Sequence, residues 1–438
     1  MSYRNQQLET RNRNRYTYNC PRRGAEAISS RLRGSGSLGA AGRKGPVSSP
    51  PKSAAAALAR RDWGVRLRPA HCHPDLVYCG SDGALPGSTR TLSARPLLHP
   101  SQLRMNIFEL TRALVDVESI SGNEERMGNV LFEHLSELAS KYAGHAERIQ
   151  VEPKRFNVFA CWGNPVVTLS THMDTVPPFF PSREDETHIW GRGACDTKGI
   201  IAAMLSAVRE LLEEGTRDIG LLFVVGEERN STGAFAAAKD SRGSKFLING
   251  EPTENKLAIG SKGALRLEFI ASGRMAHSAY PELGESAIEK LLDALNEVRR
   301  MPLPVDKILG ASTVNIGTIS GGRAPNVIAD HAQAEVFIRL VDDGAATRQV
   351  LKQTVKGIEV REVLLVPAVH MGSLAGLETT VVAFTTDIPA FGESWGKPYL
   401  LGPGSIHVAH TAEERIPKNE LVESVQIYKR MVKQLTRN

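Results

Sequence analysis

Residues 220–228 read Gly-Leu-Leu-Phe-Val-Val-Gly-Glu-Glu, an apolar run that stops at two carboxylates. A run of this length with polar residues at its end is typical of a buried β-strand. Residues 166–172 and 246–251 repeat the pattern, as Val-Val-Thr-Leu-Ser-Thr-His and Phe-Leu-Ile-Asn-Gly-Glu. Segments with apolar residues at helical spacing lie between and around these runs, most clearly at 200–212 and 421–435. Because strands separated by helices are joined by right-handed crossovers, we predict an α/β fold with a mostly parallel sheet.

The pattern changes between residues 258 and 374. There the sequence predicts the element order β-α-β-β-α-β, with strands at 264–271, 312–319, 332–340 and 358–366 and helices at 285–298 and 345–355. This order is the signature of a ferredoxin-like α+β sandwich. We therefore predict a catalytic domain formed by residues 105–257 and 375–438, with residues 258–374 inserted as a lid or dimerisation domain. Because exposed sheet edges can pair with a second chain, we also expect a homodimer.

The first 104 residues differ in composition from the rest of the chain. They contain 18 Lys and Arg but only 5 Asp and Glu, whereas the remaining residues contain 36 and 43. They show no helical or strand period and cannot bury enough apolar surface to fold, so we predict disorder. Three explanations stay open: an organelle-targeting extension, a basic interaction tail, or an upstream start that is wrongly included, with Met105 as the real first residue. The sharp change at Met105 favours the third.

Composition also excludes several classes of protein. No window holds 18 uninterrupted apolar residues, so we expect no membrane-spanning helix. The five cysteines are scattered and odd in number, which indicates no disulfide framework and favours a reducing, cytoplasmic location. The basic segment offers no platform of interleaved aromatic residues, so the sequence does not favour nucleic-acid binding.

Side chains that bind metals follow the predicted strands. They are His172, Asp174, Asp196, Glu227, Glu228, Glu251 and His410. Because the carboxyl ends of parallel strands meet at one edge of a sheet, we expect these groups to converge on one crevice, where a cation would relieve their mutual repulsion. Mixed His, Asp and Glu ligands suit zinc, or cobalt and manganese as substitutes. Their number exceeds what one tetrahedral ion uses, so the sequence predicts two ions bridged by one carboxylate.

Four motifs together carry a resemblance to a known family. They are Thr171-His172-Met173-Asp174-Thr175-Val176, Gly191-Arg192-Gly193-Ala194-Cys195-Asp196-Thr197-Lys198-Gly199, Gly226-Glu227-Glu228 and Gly250-Glu251-Pro252-Thr253. Over residues 105–438 the chain resembles the co-catalytic zinc aminoacylase/carboxypeptidase family. That family includes acetylornithine deacetylase, succinyl-diaminopimelate desuccinylase, aminoacylase and glutamate carboxypeptidase. The resemblance implies two Zn²⁺ ions per subunit, for which Co²⁺ can substitute.

The resemblance also implies a set of metal ligands. In this set, His172 and Glu251 bind one ion, Glu228 and His410 bind the other, and Asp196 bridges both. The peptide bond after the bridging aspartate is cis in the family, which implies a cis bond between Asp196 and Thr197 here.

Two further residues at the strand ends receive roles that do not involve binding a metal. The resemblance implies that Asp174 orients the imidazole ring of His172 and so fixes its tautomer. Glu227 is implied as the general base, which takes a proton from the attacking water and later gives it to the leaving amine.

The resemblance extends to the inserted segment and to a loop near the C-terminus. His277, within Gly-Arg-Met-Ala-His-Ser at 273–278, resembles the histidine that reaches into the partner subunit's site and stabilises the oxyanion of the tetrahedral intermediate. Asn326 and Gly404 resemble residues of two loops that bind substrate. Arg339 resembles the arginine that grips a substrate carboxylate, a role that suits its planar, forked guanidinium.

We therefore predict a dinuclear zinc hydrolase that releases an amino acid from an N-acyl amino acid, in the manner of acetylornithine deacetylase. The same machinery would serve a small-peptide exopeptidase, such as a dipeptidase, tripeptidase or carboxypeptidase, and this alternative stays open. The expected substrate is accordingly a small N-acyl amino acid or a short peptide. A catalytically silent binding module is the alternative from another class, but the intact Glu227 and all five expected metal ligands argue against it.

Overall fold

The computed structural model describes residues 105–437, so the predicted disorder of residues 1–104 lies outside the described residues. The α-helices in the described part are α1 Ile107–Val115, α2 Glu125–Lys141, α3 Gly199–Glu213, α4 Thr232–Ala237, α5 Ala287–Arg300, α6 Ala345–Thr354, α7 Ile388–Phe391 and α8 Lys418–Leu435. No helix within residues 105–437 combines the length and the apolar character needed to cross a bilayer.

The strands alternate with these helices. They are β1 His145–Glu152, β2 Arg155–Trp162, β3 Val167–His172, β4 Arg183–Glu184, β5 His188–Trp190, β6 Ile219–Val224, β7 Phe246–Asn249, β8 Leu257–Ser261, β9 Gly263–Ser272, β10 Val305–Asp306, β11 Gly310–Ala311, β12 Thr313–Gly321, β13 His331–Leu340, β14 Glu359–Val366, β15 Val369–His370, β16 Thr379–Val382, β17 Lys397–Leu400 and β18 Arg415–Pro417.

The largest sheet has nine strands in the order β1-β2-β6-β3-β7-β17-β8-β15, with β16 also paired to β8. Its centre is parallel, because β6, β3, β7 and β17 all run in the same direction. Antiparallel strands complete both sides: β1 and β2 beside β6, and β8 and β15 beside β17. The predicted α/β class is confirmed, and the parallel part that the sequence predicts forms the middle of a mixed sheet.

Two layers of helices cover the nine-stranded sheet. One face packs against α1, α2, α3 and α8 through a large apolar core, whose members include Leu131, Leu169, Ile201, Leu221 and Tyr428. Helices α4 and α7 cover part of the other face around the buried rings of Phe391 and Trp395. This packing holds the carboxyl ends of the central strands in fixed positions, which is what a site at those ends requires.

A separate antiparallel sheet has the order β12-β13-β9-β14. Its strands and helices follow one another along the chain in the predicted order β-α-β-β-α-β, with the short pair β10 and β11 added before β12. Helices α5 and α6 pack on one face of the sheet around its own core, which includes Leu267, Leu291, Val336 and Leu351. The domain boundaries stay a prediction, and strand pairing places β8 and β15, both near the predicted limits 258 and 374, in the nine-stranded sheet.

His134 provides a test of how α2 packs. Its side chain is buried on α2, and burial, aided by the charge of Arg209, lowers the pKa of its imidazole to about 4. Between pH 6.5 and pH 4 the unfolded chain therefore binds a proton that the folded chain does not bind. We expect the free energy of unfolding to fall by about 3 kcal/mol as the pH decreases through this window. Thermal melts of wild type and His134→Gln between pH 7 and pH 4 measure this, and a pH dependence that is the same in both proteins would contradict it.

Candidate metal centre and active site

Acidic and imidazole side chains lie at or just after the carboxyl ends of β3, β6 and β7, at one edge of the nine-stranded sheet. In the register of this sheet, His172 at the end of β3 lies beside Val224 at the end of β6, and Ser170 lies beside Asn249 at the end of β7. The segment after β6 carries Glu227 and Glu228, and the segment after β7 carries Glu251. The parallel register therefore brings together side chains that are far apart in the sequence.

Asp196 lies between two imidazole rings. Its Oδ1 atom is 3.1 Å from Nε2 of His172, and its Oδ2 atom is 3.2 Å from Nε2 of His410. A carboxylate that directs one oxygen toward each of two histidines has the arrangement required of a bridging ligand. The structure thus brings His172, Asp196 and His410 together, although 214 positions separate the last two in the sequence.

Glu228 and Glu251 complete the cluster, one beside each histidine. The Nε2 atom of His410 is 3.0 Å from a carboxylate oxygen of Glu228, and Nε2 of His172 is 4.0 Å from Oε2 of Glu251. Ligand atoms of His172, Asp196 and Glu228 all lie within 4.8 Å of one another. The Oε1 atom of Glu251 is buried without a hydrogen-bond partner among residues 105–437. A donor set of imidazoles and carboxylates with an unpartnered buried oxygen fits a divalent cation such as zinc.

Asp174 differs in detail from the role that the resemblance implies. Nδ1 of His172 lies 2.9 Å from the main-chain oxygen of Asp174, whereas the Asp174 carboxylate is 3.6 Å away. The main-chain carbonyl therefore accepts the Nδ1 proton and leaves Nε2 free to face Asp196. The carboxylate instead accepts hydrogen bonds from the Ser121 hydroxyl at 2.6 Å and from the backbone N–H groups of residues 226, 227 and 228. It thus holds the turn that carries Glu227 and Glu228.

The backbone around Asp196 is also held by side chains. The peptide bond between Asp196 and Thr197 is cis, as the resemblance implies. The Thr197 hydroxyl donates a hydrogen bond of 2.6 Å to the main-chain oxygen of His172. This contact ties the segment that carries Asp196 directly to the end of β3.

Three carboxylates of the site, those of Glu227, Glu228 and Glu251, lie in an environment that is short of positive charge, whereas hydrogen bonds to His172 and His410 outweigh burial and lower the pKa of Asp196. Burial raises the pKa of Glu227 and of Glu251 well above the ordinary value, and only the nearby His172 opposes the shift appreciably. Burial and the adjacent Asp196 likewise raise the pKa of Glu228. Raised carboxylate pKa values mean that this region disfavours further negative charge, so a cation bound among these groups is strongly stabilised.

Two buried acidic residues of this region were missed by the sequence analysis. Glu414 pairs with the buried Arg192 at 2.6 Å, and its other oxygen accepts a hydrogen bond from the backbone N–H of Asp196 at 3.2 Å. Burial raises the pKa of Glu414 to about 6 and that of Asp387 to about 7. Neither residue has a motif of its own. The only signal in the sequence is Arg192, a cation within an otherwise apolar and glycine-rich segment, which required an acidic partner.

A cavity of about 650 Å³ opens onto this cluster. Asp196, Glu227, Glu228, Glu251 and His410 line it on one side. Arg339 lines it on the side of the four-stranded sheet, where its guanidinium lies 4.8 Å from the ring centroid of Phe337. Arg339 has no acidic partner among the described residues, so its charge is available to a ligand in the cavity.

Three predicted residues do not lie on this cavity within one chain. His277 and Asn326 are exposed and lie together, because the N–H of Ser278 donates to the main-chain oxygen of Asn326 at 3.0 Å. They lie at the Ser272 end of β9, whereas Arg339 lies at the opposite end, beside Ala264. Gly404 has a φ of +88° and packs against Cys195, the residue before Asp196, where there is no room for a side chain. The roles predicted for these three residues stay predictions.

Comparison with known proteins identifies the family. Residues 168–434 match the model of peptidase family M20/M25/M40. The chain belongs to this family. A peptidase M20 domain-containing protein of Schizosaccharomyces pombe is 39% identical over 338 residues, which are 75% of this chain and 84% of the relative. A probable carboxypeptidase of Aspergillus niger is 37% identical over 366 residues, which are 73% of this chain and 88% of the relative.

The fold of the M20 family also matches at the level of structure. The aminopeptidase PepT of Bacillus cereus superposes with a TM-score of 0.63 at 19% identity, covering 75% of this chain and 98% of that chain. As a member of the M20 family, the protein is a metal-dependent hydrolase that acts on peptide bonds. The specificity predicted first, that of acetylornithine deacetylase, is not confirmed. The Aspergillus niger relative is named a probable carboxypeptidase, which is one of the exopeptidase types that the sequence left as the alternative.

Proposed function

We propose that this protein is a dinuclear zinc exopeptidase of the carboxypeptidase type, which cleaves the amide bond before a C-terminal residue with a free carboxylate. The observation that carries the proposal is the position of Arg339. Its guanidinium, which has no acidic partner among residues 105–437, lines the same cavity as Asp196, Glu227 and Glu228. A forked guanidinium binds a carboxylate through two parallel hydrogen bonds, so it would anchor the substrate's C-terminus beside the hydrolytic groups.

The five clustered side chains would hold the metal ions in this proposal. His172 and Glu251 would bind one ion, His410 and Glu228 the other, and Asp196 both, as the facing pairs of atoms indicate. When bound, such ions polarise a carbonyl oxygen and lower the pKa of water toward neutrality. Zinc is proposed because mixed imidazole and carboxylate ligands suit it, and cobalt is the expected substitute.

The side chains of this chain perform the remaining steps. Burial raises the pKa of the Glu227 carboxyl group. A raised pKa suits a group that must both accept and return a proton near neutral pH. Glu227 takes the proton of the attacking water and delivers it to the amine that leaves. Arg339 holds the carboxylate of the departing residue, which fixes the scissile bond relative to Glu227.

Removal of the Arg339 guanidinium tests the proposal. We expect the zinc-loaded protein to hydrolyse dipeptides and N-acyl amino acids with a free carboxylate and to act poorly on the corresponding C-terminal amides. Arg339→Ala should lower kcat/KM for the free acids by about 100-fold and leave the rate on the amides nearly unchanged. Steady-state kinetics on matched acid and amide substrates measure both effects.

Arg266→Ala is the matched control for this experiment. Arg266 belongs to the same sheet but is paired with Glu335 at 2.8 Å and does not line the cavity. It should keep the preference for free acids. An Arg339→Ala variant that retains this preference would contradict the proposed function.

The proposal includes a homodimer in which each subunit completes the site of the other. His277 and Asn326 are exposed at the end of the four-stranded sheet away from the cavity, a position from which they can serve a second chain. Co-expressed Glu227→Gln and His277→Ala chains should regain activity that neither variant has alone. A monomeric protein, or co-expressed chains without regained activity, would contradict the dimer.

The free thiols of Cys161 and Cys195 are consistent with the cytoplasmic location that we also propose.

A further inference from the structure

The strand that carries Arg339 also places an apolar ring beside it. Residues of β13 alternate, with Val336 and Ile338 in the core beneath α5 and α6. Phe337 and Arg339 therefore share the opposite, open face of the sheet, about 7 Å apart along the strand. Both residues line the cavity.

The neighbouring strands extend this apolar surface. In the register of the sheet, Phe337 and Leu364 lie on either side of Arg266, and Arg339 and Val366 lie on either side of Ala264. Leu364 and Val366 line the cavity together with Phe337, and these three side chains form an apolar strip that is divided by Arg266, which is paired with Glu335. Leu364 is 38% exposed although it is a large aliphatic side chain.

Apolar side chains also form the facing wall. Phe235 on α4 and Phe384 after β16 line the same cavity, and Phe235 is 57% exposed. Large apolar side chains on both walls of a cleft next to a hydrolytic centre are typical of a pocket that takes an apolar group.

The charges on the lining exclude a cationic group. Its carboxylates are Asp196, Glu228 and Glu251 of the metal cluster and Glu227, the proposed general base, and Arg229 and Arg339 add positive charge. Glu335, on the open face of the sheet, is already paired with Arg266. An ammonium group bound against Phe337 and Leu364 would therefore lose its hydration without gaining a partner among the described lining residues.

We propose that this cavity selects a substrate whose C-terminal residue has a bulky apolar side chain, and that it rejects ornithine and lysine at that position. The inference rests on the proposed function, because it takes Arg339 as the anchor of the C-terminal carboxylate. The carboxylate and the side chain of one residue leave from the same carbon atom. A carboxylate at Arg339 therefore brings that side chain against Phe337, Leu364 and Val366, with Phe235 and Phe384 opposite.

Norleucine and lysine provide a matched pair of substrates for the test. Their unbranched side chains have nearly the same length and differ chiefly in the ammonium group of lysine. With zinc-loaded protein, we expect kcat/KM for the N-acetyl and alanyl derivatives of norleucine to exceed that for the lysine derivatives by about 100-fold. Binding of the same compounds to zinc-loaded Glu227→Gln, measured by calorimetry, should show the same order without turnover.

A carboxylate placed in the apolar strip should weaken the selection against lysine. Leu364→Asp is expected to shift the ratio of the two kcat/KM values toward lysine by at least about 10-fold. The control is Val363→Asp at the adjacent position, which is 52% exposed and does not line the cavity; it should leave the ratio unchanged.

The outcomes separate the selectivity from the function on which it rests. Lysine or ornithine derivatives cleaved as fast as norleucine derivatives, or a ratio that Leu364→Asp does not shift, would overturn the selectivity while leaving the exopeptidase intact. Failure to cleave any compound with a free carboxylate would overturn the proposed function, and the selectivity with it.

Discussion

Glu227→Gln should lower kcat by about 10²- to 10⁴-fold and leave the bound metal at the level of the wild type. Glutamine keeps the size and hydrogen-bonding capacity of the side chain but cannot accept the proton of the attacking water. Glu227 lines the cavity, but its carboxylate makes no contact of 4.0 Å or less with His172 or His410, unlike the carboxylates of Glu251 and Glu228. Single-turnover kinetics and metal analysis of the same preparation measure the two quantities.

Glu228→Gln is the matched control, because it makes the same chemical change one residue further along the same turn. Glu228 lies 3.0 Å from Nε2 of His410, so we expect its replacement to weaken metal binding as well as activity. The assignment of the general base is wrong if Glu227→Gln keeps wild-type kcat, or if it loses metal to the same extent as Glu228→Gln.

Asp174→Ala should weaken metal binding by about 10- to 100-fold and lower the stability of the protein. Its buried carboxylate accepts hydrogen bonds from Ser121 and from three successive backbone N–H groups of the turn that carries Glu227 and Glu228. Each buried donor left unsatisfied costs about 1–3 kcal/mol, so the turn would rearrange and displace Glu228. Zinc titration and thermal melts measure the two effects.

Ser121→Ala tests the Ser121 hydroxyl bond alone and leaves the backbone bonds of the turn unchanged. It removes one of the four hydrogen bonds to Asp174 and leaves the three backbone bonds in place. We expect a loss of stability of about 1 kcal/mol and nearly unchanged zinc affinity. Equal zinc affinity in wild type and Asp174→Ala would show that this carboxylate does not position the metal ligands.

The centre of the fold could be predicted from the sequence because its strands are buried on both faces. Such strands appear as short apolar runs, and the runs that end at His172, Glu227 and Glu251 identified β3, β6 and β7 directly. The regular alternation of Ala332–Leu340 likewise identified β13, one face of which is buried beneath helices.

The antiparallel edges of the large sheet could not be predicted in the same way. Strand β1 is mostly polar and partly exposed along its length, so its residues show no apolar run. Strand β15 has only two residues and is defined by its pairing with β8. Such strands are fixed by the partner against which they pair, and a local pattern carries little information about that partner.

The residues of the candidate site also differ in whether the sequence could predict them. Its proposed metal ligands follow buried strands or stand in the motifs that carry the family resemblance, so His172, Asp196, Glu228, Glu251 and His410 could be predicted from the sequence. Glu414 and Asp387 could not be named, because their environment arises only when distant segments pack around Arg192 and Glu227. The contact of His172 with the main-chain oxygen of Asp174 depends on the local backbone path, which residue types do not specify.

The central claim is that two cations lie among these five side chains, and anomalous diffraction at the zinc edge tests it most directly. Crystals of the protein grown with zinc should show two anomalous peaks on either side of the Asp196 carboxylate, one next to His172 and Glu251 and the other next to His410 and Glu228. Crystals that contain zinc elsewhere but show no peak beside Asp196 would contradict the account.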